Sequence, residues 1–155
     1  MDDYKINSSW TLWNHNIFND NWDIESYNNL FTINNLYDLK YLIEHMNDRY
    51  IIDNMLFLMR ENILPIWEDK HNSNGSICSF KVYNKDRYNQ LILLIKNCII
   101  ESLHINPINY DNINGISITP KKNFSILKIW FKTKNNINTI NQYKPYIIHK
   151  NCHIK

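Results

Sequence analysis

The sequence LPIWEDK, at Leu64–Lys70, places the indole of Trp67 directly before two carboxylates, Glu68 and Asp69. Pro65 prevents a regular helix here, because its ring fixes φ and its nitrogen has no hydrogen to donate. An indole beside a carboxylate can recognise a nucleobase, since the ring offers a stacking face and the carboxylate accepts two hydrogen bonds from a guanine edge. An exposed charged turn anchored by one tryptophan is the alternative. Taken alone, these seven residues favour the exposed turn, because short motif matches are often accidental.

Strand and helix patterns surround this stretch on both sides. Strands are predicted at Trp10–Trp13, Ser26–Ile33, Tyr50–Met59, Ser76–Tyr83, from Asn114 onwards, at Phe124–Phe131 and at Tyr146–His149. One helix is predicted from a cap at Asn34 or Asn35 to about His45, and a second from Asn84 to about Leu103. The elements follow one another without a regular β-α-β repeat. This order predicts one α+β domain, a curved antiparallel sheet with helices on one face.

The second predicted helix is apolar on more than one side. A helix that backs a sheet needs one apolar stripe, which Leu91, Ile95 and Cys98 supply. Ile92, Leu93, Ile99 and Ile100 extend the apolar surface beyond that stripe. The helix is therefore either buried on two sides within the domain or exposes a face that binds a partner.

Composition bounds the class of protein and indicates its ligand. The 155 residues suit one domain, and the apolar fraction of 44% suffices for a core. The chain has 27 Asn, 26 Ile and no Ala, which we interpret as the coding bias of an A+T-rich genome, such as that of a virus or a parasite. Residues 112–155 hold eight lysines and no acid, whereas residues 1–111 have a net charge of −6. This asymmetry predicts an anionic ligand at the C-terminal third, although a basic tail without a partner would give the same pattern.

Several classes of chemistry lack support in the sequence. We find no P-loop, nucleophile elbow, HExxH or CxxC pattern, so we predict a protein that is not an enzyme and has no cofactor. The spacing of Cys78, Cys98 and Cys152 predicts reduced thiols, and Cys152 with its neighbouring histidines lacks a full metal-ligand set. No targeting or membrane segment is visible. We expect a cytoplasmic protein, located in the host cytoplasm if it is viral.

An ordered set of motifs resembles the translation initiation factor 4E family, the messenger-RNA cap-binding proteins. The set comprises Trp10-Thr11-Leu12-Trp13, Trp22, Pro65-Ile66-Trp67-Glu68-Asp69, Glu101-Ser102, Gly75, Gly115 and Ile129-Trp130. The resemblance runs over residues 10–150, which leaves residues 1–9 as a flexible N-terminal segment and 151–155 as a short tail. It implies a cupped sheet with helices on the convex face and the cap in the concave mouth.

The resemblance also implies roles for particular residues. Trp22 and Trp67 resemble the two indoles that enclose 7-methylguanine, Glu68 the acceptor of its hydrogen bonds, and Trp130 the indole that contacts the methyl group. The expected phosphate-binding residues are Lys121, Lys122 and Lys128. A family lysine aligns with Ile126, and Lys128 lies on the same predicted sheet face. The family's third long helix is reduced to residues 135–142 or lost.

The convex face is expected to bind protein. In the family it takes an amphipathic helix of the scaffold factor 4G, or of repressors with the motif Tyr-x-x-x-x-Leu. By this resemblance, the corresponding surface here comprises Ile33, Tyr37, Ile92 and Leu93. The leading hypothesis is a translation factor that binds capped mRNA and a scaffold. The alternative is a 4E-like decoy that sequesters scaffolds or repressors and binds the cap weakly.

Overall fold

One antiparallel sheet dominates the fold. The computed structural model describes residues 4–103 and 112–134, together with the backbone of 153–154. Within these residues the strands are β1 (Lys5–Asn16), β2 (Asn28–Asn35), β3 (Asn54–Arg60), β4 (Ser76–Tyr83), β5 (Ile113–Pro120), β6 (Phe124–Phe131) and β7 (His153–Ile154). Their order across the sheet is β2-β1-β3-β5-β6-β4-β7. The α-helices of the described residues are α1 (Leu36–His45) and α2 (Arg87–Ile99), and the predicted α+β class is confirmed.

The two faces of the sheet carry different side chains, because successive side chains of a strand point to opposite faces. On β6, Leu127, Ile129 and Phe131 join the main core beneath the helices. Lys128 and Trp130 point to the opposite face, where they line a cleft. Burial of one such aliphatic side chain contributes about 1.5–3 kcal/mol. The helix-covered core therefore holds the curved sheet in shape and leaves its other face open.

A side-chain cap fixes the start of α1. The side chain of Asn35 accepts a hydrogen bond from the backbone N–H of Asp38 at 2.9 Å. The Asp38 carboxylate in turn accepts from the backbone N–H of Asn34 at 2.8 Å. These reciprocal bonds satisfy donors that the helix itself cannot pair, and the predicted helix ending at His45 is confirmed. Neither of the described helices is long or apolar enough to cross a membrane.

The predicted start of α2 at Asn84 is wrong. The Asn84 amide instead donates to the carbonyl of Lys122 at 3.2 Å and accepts from the Ser125 hydroxyl at 3.3 Å, which ties the end of β4 to the β5–β6 turn. The helix begins at Arg87. Its predicted end at Leu103 is also too late, because Glu101 adopts a positive φ of 57° directly after the helix. The carboxylate of Glu101 forms a buried ion pair with Arg60 of β3.

The boundaries at the chain termini also differ from the prediction. β1 begins at Lys5, which pairs with Asn35, so the expectation of a flexible segment over residues 1–9 is wrong for residues 5–9. His153–Ile154 pairs with β4 next to Cys78, so this part of the predicted tail is a strand. The strand predicted at Tyr146–His149 and the reduced helix at 135–142 lie outside the described residues.

Two further expectations from the sequence need correction. β3 begins at Asn54 rather than Tyr50, because Asp48–Ile51 forms a 3-10 turn capped by the side chain of Asn47. Cys78 is disulfide-bonded, so the expectation of three reduced thiols is wrong for this residue. Cys98 is a free cysteine at the core side of α2, and burial raises the pKa of its thiol.

Candidate functional site

A cleft of about 230 Å³ opens on the sheet face opposite the helices. Side chains from four parts of the chain line it: Trp22 and Tyr27 before β2, Met55 and Phe57 of β3, Pro65–Glu68 after β3, and Ser117, Lys128 and Trp130 of the β5–β6 pair. The four residues predicted to contact a base, Trp22, Trp67, Glu68 and Trp130, are therefore brought to one place.

Trp22 lies on a buried histidine. The rings of Trp22 and His15 are stacked at an angle of 9°, with 4.2 Å between their centroids. His15 belongs to β1, is fully buried and contacts the Tyr27 ring on another side. Its Nε2 lies 2.7 Å from the carbonyl of Asn21, the residue before Trp22, so Nε2 carries the hydrogen that is donated. The indole itself remains 52% exposed, so His15 holds the Trp22 loop while leaving the indole accessible.

Asp69 and Asn72 build the loop that carries Trp67. The Asp69 carboxylate accepts hydrogen bonds from the backbone N–H groups of Leu64 and His71, and from the His71 ring. Buried Asn72 donates to the carbonyls of Leu64 and Ile66, at 3.0 and 2.9 Å. Its own side-chain oxygen accepts from Asn114 at 3.0 Å. These bonds fix the non-helical backbone of the loop to the start of β5.

The two carboxylates of this loop thereby take different roles. Burial by itself raises the pKa of Asp69, but the hydrogen bonds from Leu64 and His71 outweigh burial and hold the pKa below its usual value. Asp69 is thus an ionised structural residue of the loop. Glu68 is exposed and lines the cleft, where it can accept hydrogen bonds from a ligand.

Trp130 of β6 is the third tryptophan that lines the cleft, and its contacts fix its position. Its Nε1–H donates to the Ser117 hydroxyl at 3.0 Å. Phe57 meets it edge-on at 6.2 Å, and Trp67 is tilted against it at 6.1 Å. Trp67 nevertheless remains 43% exposed. One fixed indole thus supports a second whose face is available to a ligand.

Tyr27 is a neutral neighbour of the acceptor. Burial, and then the negative charge of Glu68, raise the pKa of the Tyr27 phenol above its usual value. In the part of the chain that the structure describes, the cleft therefore combines aromatic faces with one carboxylate and one lysine. Among the described residues, no cluster of three or more His, Cys, Asp or Glu side chains could hold a metal ion.

The three lysines predicted to bind phosphate are separated. Lys128 lines the cleft on the same face as Trp130. Lys121 and Lys122 are exposed in the β5–β6 turn, which a hydrogen bond from the N–H of Lys121 to the carbonyl of Phe124 closes at 2.8 Å. At about 3.3 Å per strand residue, this turn starts about 13 Å from Lys128. Of these three lysines, Lys128 is the one that lines the cleft.

The sequence profile of the family described as "Eukaryotic initiation factor 4E" matches residues 5–150. The chain belongs to this family. The initiation factor 4E homolog of Acanthamoeba polyphaga mimivirus is 31% identical over 113 residues, which cover 64% of this chain and 42% of the viral protein. The matched part of the chain thus corresponds to less than half of that relative.

Solved structures of initiation factor 4E proteins share the fold. The schistosome protein, complexed with m7GpppA and 4E-BP, has a TM-score of 0.78 and 22% identity, with 90% of this chain and 77% of that chain covered. The Caenorhabditis elegans protein eIF4E-3, complexed with the 4E-binding protein Mextli and a cap analog, has a TM-score of 0.78 and 16% identity, with 90% and 80% covered. At these identities the likeness establishes the architecture.

The partner-helix surface expected for a 4E-family member is only partly present at the predicted residues. Ile33 is fully buried and Ile92 is 9% exposed, and both belong to the core, so their assignment to a docking surface is wrong. Tyr37 is exposed and its ring is tilted against that of Tyr4, with 4.6 Å between the ring centroids, and Leu93 is half-buried. A separate groove of about 180 Å³ is lined by Lys5, Ile6, Asn7, Leu36, Ile99, Ile100 and Glu101. This groove lies at the end of α2, where Ile100 is exposed, and it mixes apolar with polar and charged side chains.

Sequence reasoning missed the residues that support the 4E-type cleft. His15 follows Trp13 at a spacing of two, which is the available signal that both residues face the same side of β1. Asn72 and Asn114 have no comparable signal, because asparagine is abundant throughout this chain. Their pairing across 42 positions exists only once the sheet has formed.

Proposed function

We propose that this protein binds the 7-methylguanosine triphosphate cap of mRNA and acts in translation initiation. The observation that carries the proposal is the single cleft lined by Trp22, Trp67, Glu68 and Trp130. Membership of the initiation factor 4E family supports it, as do the cap analogues bound in proteins of the same fold.

Recognition of the base would combine stacking with charge. Methylation makes 7-methylguanine a delocalised cation, and the half-exposed faces of Trp22 and Trp67 are electron-rich. Stacking contributes about 1–3 kcal/mol per base, and a desolvated cation–π contact about 2 kcal/mol. Trp130, which also lines the cleft, would contact the methyl group.

Glu68 would read the edge of the base. Its carboxylate accepts the N1–H and N2–H hydrogen bonds of guanine, and a bidentate charged acceptor is both stronger and more specific than a neutral one. Tyr27, kept as a neutral phenol, adds no competing charge at this position. Unmethylated guanine keeps these hydrogen bonds and lacks the positive charge, so the site should prefer the methylated base.

The phosphates would extend from the cleft across Lys128. This lysine lies two residues from Trp130 on the same face of β6, so it is the first cation that a triphosphate leaving the base meets. Lys121 and Lys122 lie farther along the same hairpin and would contribute a longer-range attraction that salt screens.

The opposite face would dock an amphipathic helix of a scaffold factor or of a repressor. The proposed surface comprises Tyr37, Leu93 and the groove that Leu36, Ile99 and Ile100 help to line. An amphipathic helix presents apolar anchors at i, i+3 or i+4, and i+7 beside polar residues, which suits a groove with both apolar and polar side chains. In this proposal the protein bridges capped mRNA and a partner in the cytoplasm and catalyses no reaction.

A cap-affinity experiment tests the proposal. The purified protein is loaded on immobilised 7-methyl-GTP and eluted first with GTP and then with free cap analogue. Release by the cap analogue alone is expected. Release by both nucleotides, or no retention at all, would refute specific cap binding and favour a decoy that engages protein partners only.

A further inference from the structure

Two aromatic rings and a lysine form an exposed cluster at the far end of the cleft face. Tyr83 of β4 and Phe124 of β6 are direct cross-strand partners. The Nζ of Lys81 lies 4.4 Å from the ring centroid of Phe124 and 5.5 Å from that of Tyr83. Tyr83 is 61% exposed. We name these three residues the aromatic platform.

The aromatic platform lies on the same side of the sheet as the cleft. Phe80 and Val82 point into the core beneath the helices, so Lys81 and Tyr83, which alternate with them, point to the opposite face. On β6, Phe124 is four residues from Lys128, an even number, and therefore shares its face. The separation along the strand is about 13 Å. Along β6, the cleft, Lys128 and the aromatic platform thus follow one another in a line.

We propose that the aromatic platform binds the first nucleotide after the cap, with its base stacked on Tyr83 or Phe124. This inference rests on the proposed cap binding, because the triphosphate must leave the cleft over Lys128 to bring the next nucleotide here. Aromatic rings stack on any base, and lysines attract the phosphates between them. The expected readout is therefore tolerant of sequence.

The charge around the aromatic platform fits a nucleic-acid strand. Lys121 and Lys122 are exposed in the turn next to Phe124. Asn84 holds this turn against the end of β4 through the carbonyl of Lys122, which fixes the turn relative to Tyr83. Residues 112–155 contain no acidic side chain. Stacking of a base requires an exposed ring, and Tyr83 meets this requirement.

The test compares two ligands on matched variants. At one salt concentration, the affinities of 7-methyl-GTP and of a capped five-nucleotide RNA are measured for the wild type, Tyr83→Ala, Phe124→Ala and the control Tyr50→Ala. Tyr50 is a similarly exposed tyrosine that lines a separate cavity, away from the cleft. The wild type and Tyr50→Ala should bind the capped RNA about fivefold or more tightly than 7-methyl-GTP, from the lower end of the stacking range. Tyr83→Ala and Phe124→Ala should lose most of that advantage and keep 7-methyl-GTP affinity within about twofold.

The outcomes separate this inference from the function on which it rests. Failure of the wild type to bind 7-methyl-GTP would refute the cap-binding proposal itself. Tight 7-methyl-GTP binding, with a capped-RNA advantage that is absent or unchanged in the two variants, would overturn the aromatic platform alone. A capped RNA with 4-thiouridine as its first nucleotide provides a test in the wild-type protein. Crosslinks to peptides with Tyr83 or Phe124 are expected, and crosslinks only elsewhere would overturn the inference.

Discussion

Replacing Glu68 by Gln should separate ligand recognition from loop structure. The substitution keeps the side-chain shape and exchanges one charged acceptor oxygen for a donor. A hydrogen bond to a charged group contributes about 1.5–3 kcal/mol, so the affinity for 7-methyl-GTP should fall about ten- to hundredfold. Because Glu68 is exposed at the cleft, the melting temperature should change by less than about 2 °C, as expected for a surface substitution.

Asp69→Asn is the matched control, because it makes the same chemical change one position later. Asp69 is buried and accepts hydrogen bonds from Leu64 and His71, so its replacement should lower the melting temperature clearly. The sign of the pH dependence follows from the lowered pKa. The ionised form stabilises the fold above the unfolded pKa of about 3.9, and this contribution is lost as pH falls through the folded pKa. The stability difference between wild type and Asp69→Asn should therefore be large at pH 7 and shrink below about pH 4.

Isothermal titration with 7-methyl-GTP and thermal unfolding at pH 7 and pH 3 provide both measurements. The Glu68→Gln protein should bind 7-methyl-GTP more weakly at an unchanged melting temperature. The main effect of Asp69→Asn should be a lower melting temperature. A Glu68→Gln protein that binds 7-methyl-GTP as tightly as the wild type would refute the assigned acceptor. Equal destabilisation by both substitutions would refute the division of roles between the two carboxylates.

Three further perturbations test other parts of the account. His15→Ala should weaken 7-methyl-GTP binding about two- to tenfold, which corresponds to the free energy of one aromatic pair. His15→Phe should restore most of the lost affinity in the same titration. An equal loss of affinity in both variants would show that the stacked ring is unimportant. Ile100→Asp combined with Tyr37→Ala should abolish binding of an amphipathic partner peptide in a pull-down, with cap affinity within about twofold, and loss of both activities would contradict separate faces. Asp48→Asn should lower the melting temperature at pH 7 and lower it less at pH 3. The reason is that the Arg87 guanidinium holds the pKa of Asp48 below its usual value, and the bidentate Asp48–Arg87 pair is lost when Asp48 is protonated. An equal effect at both pH values would exclude the ion pair as the cause.

Local signals predicted the parts of the fold that depend on neighbouring residues. The cap predicted at Asn34 or Asn35 is found at Asn35, and the strand predicted over Ser76–Tyr83 is confirmed, because a helix cap and an alternating pattern each depend on only a few neighbouring positions. Asn84 resembles a cap equally well, yet its side chain is engaged by Ser125 and Lys122, which lie about 40 positions away in sequence. Whether Asn84 caps the helix or binds the distant turn depends on contacts that exist only in the assembled sheet. The local sequence does not indicate the outcome.

The same limit explains what was missed at the functional surfaces. Hydrophobic periodicity indicates that Ile33 and Ile92 are shielded from water. It does not show whether they are buried in the protein's own core or beneath a partner. The structure places both in the core, whereas Ile100, directly after α2, is exposed at the groove. The resemblance to the initiation factor 4E family indicated the three tryptophans that line the cleft. It did not indicate His15 and Asn72, which position those indoles.

Tryptophan fluorescence during titration with 7-methyl-GTP and with GTP tests the central claim most directly. The account predicts saturable quenching by 7-methyl-GTP and almost none by GTP, because the indoles of Trp22 and Trp67 enclose a base that is positively charged only when methylated. The quenching should be strongly reduced in Trp22→Ala and in Trp67→Ala. Equal quenching by the two nucleotides, or full quenching in both variants, would contradict the enclosure of a cationic base in this cleft.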